Sequence, residues 1–180
     1  MRTVFQRMIE RFRASEAGNA TIEFVIIFPV FITLFLATFE SGFMMTRNVM
    51  LERAVDLSIR DLRLGQASAT SFQGFKDTIC DNSFLIKNCD EVIQVELRPV
   101  DTGTWAALPS TSQCRDVSSS IDPIDTTTFE VGANNELMLV RVCALFDPFF
   151  PTTALGLELN QDGHGNFAMV VTGAFVNEPS

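Results

Sequence analysis

The sequence predicts an α+β fold: a long N-terminal helix, transmembrane in its first half and amphipathic in its second, packed on a small antiparallel sheet. Three observations predict it. Phe24 to Phe39 is an uncharged run of sixteen residues, apolar enough to be a membrane helix. Apolar residues then recur at helical spacing as far as Leu62. Beyond Gly65 the periodicity shortens to that of strands.

The helix comes first in the chain. Apolar residues make up 47% of the protein and the mean hydropathy is +0.21, and the excess is concentrated in this run, which the weakly polar Ser41 to Thr46 extend to a span of about 24–45. Further on, Leu51, Val55, Ile59 and Leu62 are spaced by four, four and three, with Arg53, Asp56, Arg60 and Asp61 between them. No strong breaker stands between Pro29 and Gly65. The helix is therefore expected to run from residue 19 to about Leu64, about 68 Å in length. Pro29 removes the donor for the Val25 carbonyl, so a bend or local melting is expected there, with Thr33 partly compensating. Phe24, Phe28, Phe31, Phe35, Phe39 and Phe43 fall within one arc of about 120°. That stripe reads either as a lipid-facing surface or as a packing seam, centred on Phe28, Phe31, Phe35 and Phe39, against partner helices.

After Gly65, the stretch from Phe72 to Ile79 reads as one or two helical turns. Val92 to Arg98 alternates, with Ile93, Val95 and Leu97 facing inward and Gln94, Glu96 and Arg98 outward. Pro99 to Thr128, rich in Ser, Thr, Asp and Pro and holding Trp105, reads as a long irregular connection. Leu137 to Phe146 and Phe167 to Val176 are two further strands. A sheet of this size needs a cover on one face, and the distal half of the helix supplies it.

Charge and cysteine placement define the compartments. Residues 1–18 carry a net charge of +2, through Arg2, Arg7, Arg11 and Arg13, whereas residues 19–180 carry −11. An acidic body excludes nucleic acid as a partner. Cys80, Cys89, Cys114 and Cys143 all follow the apolar run, as expected if the C-terminal side is oxidising. Of the three possible connectivities, Cys80 with Cys89 and Cys114 with Cys143 is the most economical. The cysteine spacings fit no zinc site, and His164 is the single histidine. Flanking arginines number four on each side, so the positive-inside count is tied. The amino-terminal amine, the acids Glu52, Asp56 and Asp61, and the cysteines break the tie towards a cytoplasmic N-terminus. A secretory signal peptide would be shorter and followed by a small-x-small site, so the segment reads as retained.

No catalytic motif, phosphate-binding glycine loop or cofactor site is legible, and an enzyme is not expected. Asn160 to Asn166 has oxygen donors but lacks a distal bidentate glutamate, and reads as a turn.

The segment Gly18-Asn19-Ala20-Thr21-Ile22-Glu23-Phe24 resembles the processing site of type IV pilins of the Tad class, which a prepilin peptidase cuts after glycine. In that frame the cut falls between Gly18 and Asn19, leaving 162 residues with Glu23 and Phe24 at the fifth and sixth positions. Each part has physical sense. Glycine leaves the scissile backbone unobstructed. The arginines hold the leader against an anionic leaflet. Glu23 would cost about 2.5–3.5 kcal/mol if carried unpaired to mid-membrane. The resemblance implies that it neutralises the new Asn19 amine of a neighbouring subunit; a glutamate merely favoured near a helix N-terminus is the other reading.

Glu23-Phe24-Val25-Ile26-Ile27-Phe28-Pro29-Val30 is similar to TadE and TadF proteins, as are Phe146-Asp147-Pro148-Phe149-Phe150-Pro151 and Asn177-Glu178-Pro179 near the other end. Residues 66–136 match no pattern. Major Tad pilins carry tyrosine after the glutamate and a very short body, whereas this chain has Phe24, no tyrosine and a long domain. The resemblance therefore implies a pilin-like minor pilin or pseudopilin acting in Tad pilus initiation or assembly. It would comprise a cleaved basic leader (1–18), a long helix (19–65) and an extracytoplasmic α+β domain (66–180). Its partners would be other pilin subunits, inner-membrane assembly proteins and the peptidase. The alternative is an uncleaved single-pass protein whose outer domain binds a partner or a surface.

Overall fold

The computed structural model describes residues 19–66, 69–104, 114, 128–150 and 167–178. Gly18 and the basic leader, Trp105 with most of the 99–128 connection, and the 160–166 turn lie outside the described residues. Contacts divide the chain into two units, residues 1–39 and 40–180.

Helix α1, Asn19–Arg63, has 45 residues and continues through Pro29 without interruption. Local melting at Pro29 does not occur. Thr33 does not reach the Val25 carbonyl; its hydroxyl donates instead to the carbonyls of Pro29 (3.0 Å) and Val30 (2.9 Å). The geometric reason is that a threonine hydroxyl reaches back only three or four residues, not eight. The helix stops at Gly65, whose φ of +68° disfavours a side chain. There Gly65 N–H donates to the Leu62 carbonyl (3.0 Å) and Gln66 N–H to that of Asp61 (3.1 Å), a Schellman closure. Arg60 and Arg63 in the last turn complement the negative end of the helix dipole.

The second unit contains the rest of α1, helix α2 (Phe72–Asn82), a single turn α3 (Cys89–Val92) and strands β1 (Ile93–Pro99), β2 (Leu137–Phe146) and β3 (Phe167–Val176). Helix α2 starts because the Ser71 hydroxyl accepts the Gly74 N–H at 3.1 Å. The strands form one antiparallel sheet in the order β1-β2-β3, with Val95 opposite Val142 and Val142 opposite Val171. The outer edge of β1 is partly closed. There Leu97 accepts the Glu130 N–H and donates to Thr128, both at 2.9 Å.

One sheet face and one helix face make the core. Leu51, Ala54, Val55 and Leu62 of α1 are buried with Ile93, Val95, Leu97, Met138, Val140, Val142 and Phe175, and with Phe75 and Ile79 of α2. The approach is closest at Gly173, where a Cβ would stand 2.9 Å from Ile59 Cδ1 and 3.1 Å from Val140 Cγ1. Ser58 is buried on the same helix face and donates back to Ala54 at 2.9 Å.

One expectation changes. The sheet face read as outward is largely covered: Gln94 is buried and the Glu96 side chain is only 12% exposed. On this face Cys143 sits opposite Gln94 and is bonded to Cys114. Glu96 is accommodated there by Arg98 at 2.5 Å and by its cross-strand partner Arg141 at 3.8 Å. The boundary between the two units falls within α1, after Phe39.

Candidate functional site

Along residues 24–39 the helix is uncharged, with apolar side chains on every side. Ile22, Val25, Ile26, Ile27, Val30 and Leu34 are as exposed as Phe24, Phe28, Phe31, Phe35 and Phe39, at roughly half or more of their surface. Burial therefore does not single out the phenylalanine stripe. Within it, Phe24 stacks on Phe28 at 5.0 Å and Phe31 on Phe35 at 6.5 Å between centroids. Two hydroxyls in this stretch bond back to the helix: Thr33 and Thr38 each donate to carbonyls three and four residues back. Such back-bonding removes the cost of an unsatisfied hydroxyl in hydrocarbon. The helix is long and apolar enough to cross a membrane. Glu23 is exposed on its first turns. Asn19 is the first described residue, and Gly18 precedes the described residues.

At the other end of the apolar run the structure builds a site that the sequence did not disclose. Glu40 is only 1% exposed. Its two carboxylate oxygens accept the consecutive backbone N–H groups of Phe149 (3.0 Å) and Phe150 (3.1 Å). These donors are available for a local reason. Strand β2 ends at Phe146, and Pro148, with no N–H and a fixed φ, stops the ladder from continuing. The next two amides then point together at one acceptor, an anion-binding arrangement of main-chain donors.

Arg47 lies seven residues after Glu40 and so on the same helix face. Its guanidinium carbon stands 4.5 Å from the Phe43 ring centroid, 5.0 Å from that of Phe146 and 5.2 Å from that of Phe149. Phe43 and Phe149 meet edge to face at 4.6 Å. One guanidinium nitrogen donates to the Asp147 carbonyl at 3.4 Å. Burial pushes the Arg47 guanidinium down from its ordinary value, while the charges of Glu40 and Asp147 push it back up; it remains a cation. Glu40 and Arg47 thus clamp the Phe146–Phe150 segment to the helix. The missed signal was an acid and a base seven residues apart, Glu40 and Arg47, which are the first two charges after Glu23.

The disulfides join Cys80 to Cys89 and Cys114 to Cys143, with Cα separations of 5.6 and 5.2 Å. The first ties the end of α2 to α3; the second fastens the 99–128 connection to β2. Disulfides persist in oxidising compartments, which points to an extracytoplasmic domain. Among the described residues, no three His, Cys, Asp or Glu side chains converge as metal ligands would.

These features define a class of protein, a disulfide-bridged α+β domain continuous with a single N-terminal helix able to cross a membrane, arranged as in pilins. Residues 18–60 match the model of the TadE-like protein family, so over that stretch the chain is similar to TadE-like proteins. The match covers most of α1, including Glu23, Glu40 and Arg47, and stops before the sheet. No curated protein and no solved structure matches the chain.

Proposed function

We propose that the chain is a minor pilin or pseudopilin of a Tad-type pilus assembly system, a structural subunit that acts in pilus initiation or assembly. The observation that carries this reading is the TadE-like match over residues 18–60, which coincides with the exposed apolar helix. The TadE-like family is associated with pilus assembly and is structural, not enzymatic.

In this reading residues 1–18 form a cytoplasmic leader, cut after Gly18 by a prepilin peptidase. The helix holds the mature subunit in the inner membrane, and the bridged domain stands outside it. Glu23 lies five residues into the mature chain, within reach of the Asn19 amine of a neighbouring subunit, and the pairing relieves the cost of an acid near hydrocarbon. The apolar surface of residues 20–39 supplies both the lipid contact and the packing against other pilin helices once a subunit is extracted.

Processing is the direct test. The chain is expressed with and without a prepilin peptidase, and the N-terminus of the membrane-associated product is sequenced. An N-terminus at Asn19 that depends on the peptidase, and is lost in Gly18→Glu, is expected. Persistence of Met1 in the presence of an active peptidase would show an uncleaved single-pass protein instead.

A further inference from the structure

The uncharged run is short for a membrane span. Its sixteen helical residues, Phe24 to Phe39, rise about 24 Å, whereas the hydrocarbon core of a bilayer is about 30 Å thick. The missing length is about four residues, and continuing α1 by that much takes in Glu40 and Phe43. The surface of α1 is suited to such a continuation. Gly42, Met45, Thr46 and Val49 are exposed, Met45 at 67%, and none carries a charge. The Thr46 hydroxyl donates to the Gly42 carbonyl at 2.8 Å, the same back-bonding that satisfies Thr33 and Thr38 within the run. Both intervening charges are withdrawn from this surface. Glu40 is buried against the Phe149 and Phe150 amides, and Arg47 lies over the rings of Phe43, Phe146 and Phe149. Glu52 is then the first exposed charge on the helix after Glu23.

We propose that lipid of the outer leaflet covers α1 beyond Phe39, with hydrocarbon reaching Phe43, so that the Glu40 carboxylate lies inside the bilayer. This depth follows only if the proposed membrane placement holds. A carboxylate left unpaired there would be expensive, and the clamp removes that cost by giving it two amide donors, with a guanidinium close behind. Arg47, four residues and about 6 Å beyond Phe43, stands at the depth of the lipid headgroups. Phe149, half-exposed and edge to face with Phe43, brings the Phe146–Phe150 segment to the same level. The bridged domain is therefore seated in the membrane interface, not carried above it on a bare stalk. A partner helix is the other cover for Gly42 and Met45. Lipid is favoured because the shortfall in length arises from the thickness of the bilayer itself, whatever else the helix meets.

The test uses the full chain in phosphatidylcholine nanodiscs, one chain per disc, with nitroxide labels. The native cysteines are paired, so a single introduced cysteine takes the label. Labels are placed one at a time on Phe31→Cys, Gly42→Cys, Met45→Cys and Arg53→Cys. All four positions are exposed, and a Cβ at Gly42 meets nothing within 4 Å, so none of these substitutions threatens the fold. Collisions with molecular oxygen, which concentrates in hydrocarbon, are compared with collisions with a water-soluble nickel chelate. At Gly42 nickel collisions should be lost to the level seen at Phe31 while oxygen collisions stay high. Met45 should read between Gly42 and Arg53, and Arg53 should read as water. Nickel collisions at Gly42 as frequent as at Arg53 would put Glu40 above the bilayer and overturn the proposal. Loss of both oxygen and nickel collisions at Gly42 would show protein there instead of lipid, and overturns it too. A Phe31 label that collides freely with nickel refutes the membrane placement itself, whereas hydrocarbon at Phe31 with water at Gly42 refutes only the depth assigned to Glu40.

Discussion

Removing the Glu40 carboxylate tests the clamp most directly. In Glu40→Ala the amides of Phe149 and Phe150 lose their acceptor, and Arg47 loses a neighbouring negative charge. A hydrogen bond to a charged group contributes about 1.5–3 kcal/mol, and breaking a buried charged cluster by deleting one partner costs about 3–5 kcal/mol. Two such bonds to a side chain 1% exposed place Glu40→Ala in that range, about 4 kcal/mol. Glu40→Gln keeps one acceptor but turns an amide N–H₂ towards the second donor, so about half the loss is expected, roughly 2 kcal/mol. The readout is pulse proteolysis of the full chain in detergent across a urea series. With a slope of about 2 kcal/mol per molar, Glu40→Ala should move the midpoint down by about 2 M and Glu40→Gln by about 1 M. Should Glu40→Ala unfold within about 0.5 kcal/mol of the wild type, the carboxylate is not what holds the Phe146–Phe150 segment to the helix.

Three further outcomes follow from the structure. Gly173→Val pushes two methyls into the space held by Ile59 and Val140, and should destabilise the second unit by at least the overpacking cost of about 1–3 kcal/mol, with Gly173→Ala milder, as urea unfolding would show. Replacing Cys114 and Cys143 together by serine opens a bridge of sequence separation 29 and should cost about 3–4 kcal/mol, lowering the unfolding midpoint under non-reducing conditions; an unchanged midpoint would count against a constraining role. Asp101 accepts the Thr104 hydroxyl (2.6 Å) and the amides of Gly103 (2.8 Å) and Thr104 (3.3 Å), and these bonds, the hydroxyl first, hold its carboxyl below the ordinary 3.8. Because the folded value is depressed, the turn's stabilisation is present above 3.8 and is lost as pH falls through the folded value. A carboxyl-detected NMR titration should show that low midpoint, and Thr104→Val should raise it.

The architecture was legible because its elements are long and strongly patterned. Leu137–Phe146 and Phe167–Val176 are strands over the residues their composition marks out, and β1 begins one residue later than the alternation suggested. Helix α2 runs three residues beyond Ile79, and the turn of α3 went unseen because four residues are too few to show a period. The helix end at Arg63 was readable from Gly65, since a left-handed residue is needed to close the last turn.

The sequence by itself determined the kind of molecule: an uncharged run long enough for a bilayer, cysteines on one side of it, and an N-terminal motif that resembles a Tad-class processing site. Such properties are local or compositional, so no partner in space is needed to recognise them. Tertiary structure alone decided where the second unit begins, which sheet face is covered, and what Glu40 does. Hydropathy reads Glu40 as the charge that ends an apolar run. Its burial depends on two amides more than a hundred residues away, freed by Pro148 at the end of a strand, and only the folded chain brings that acceptor and those donors together.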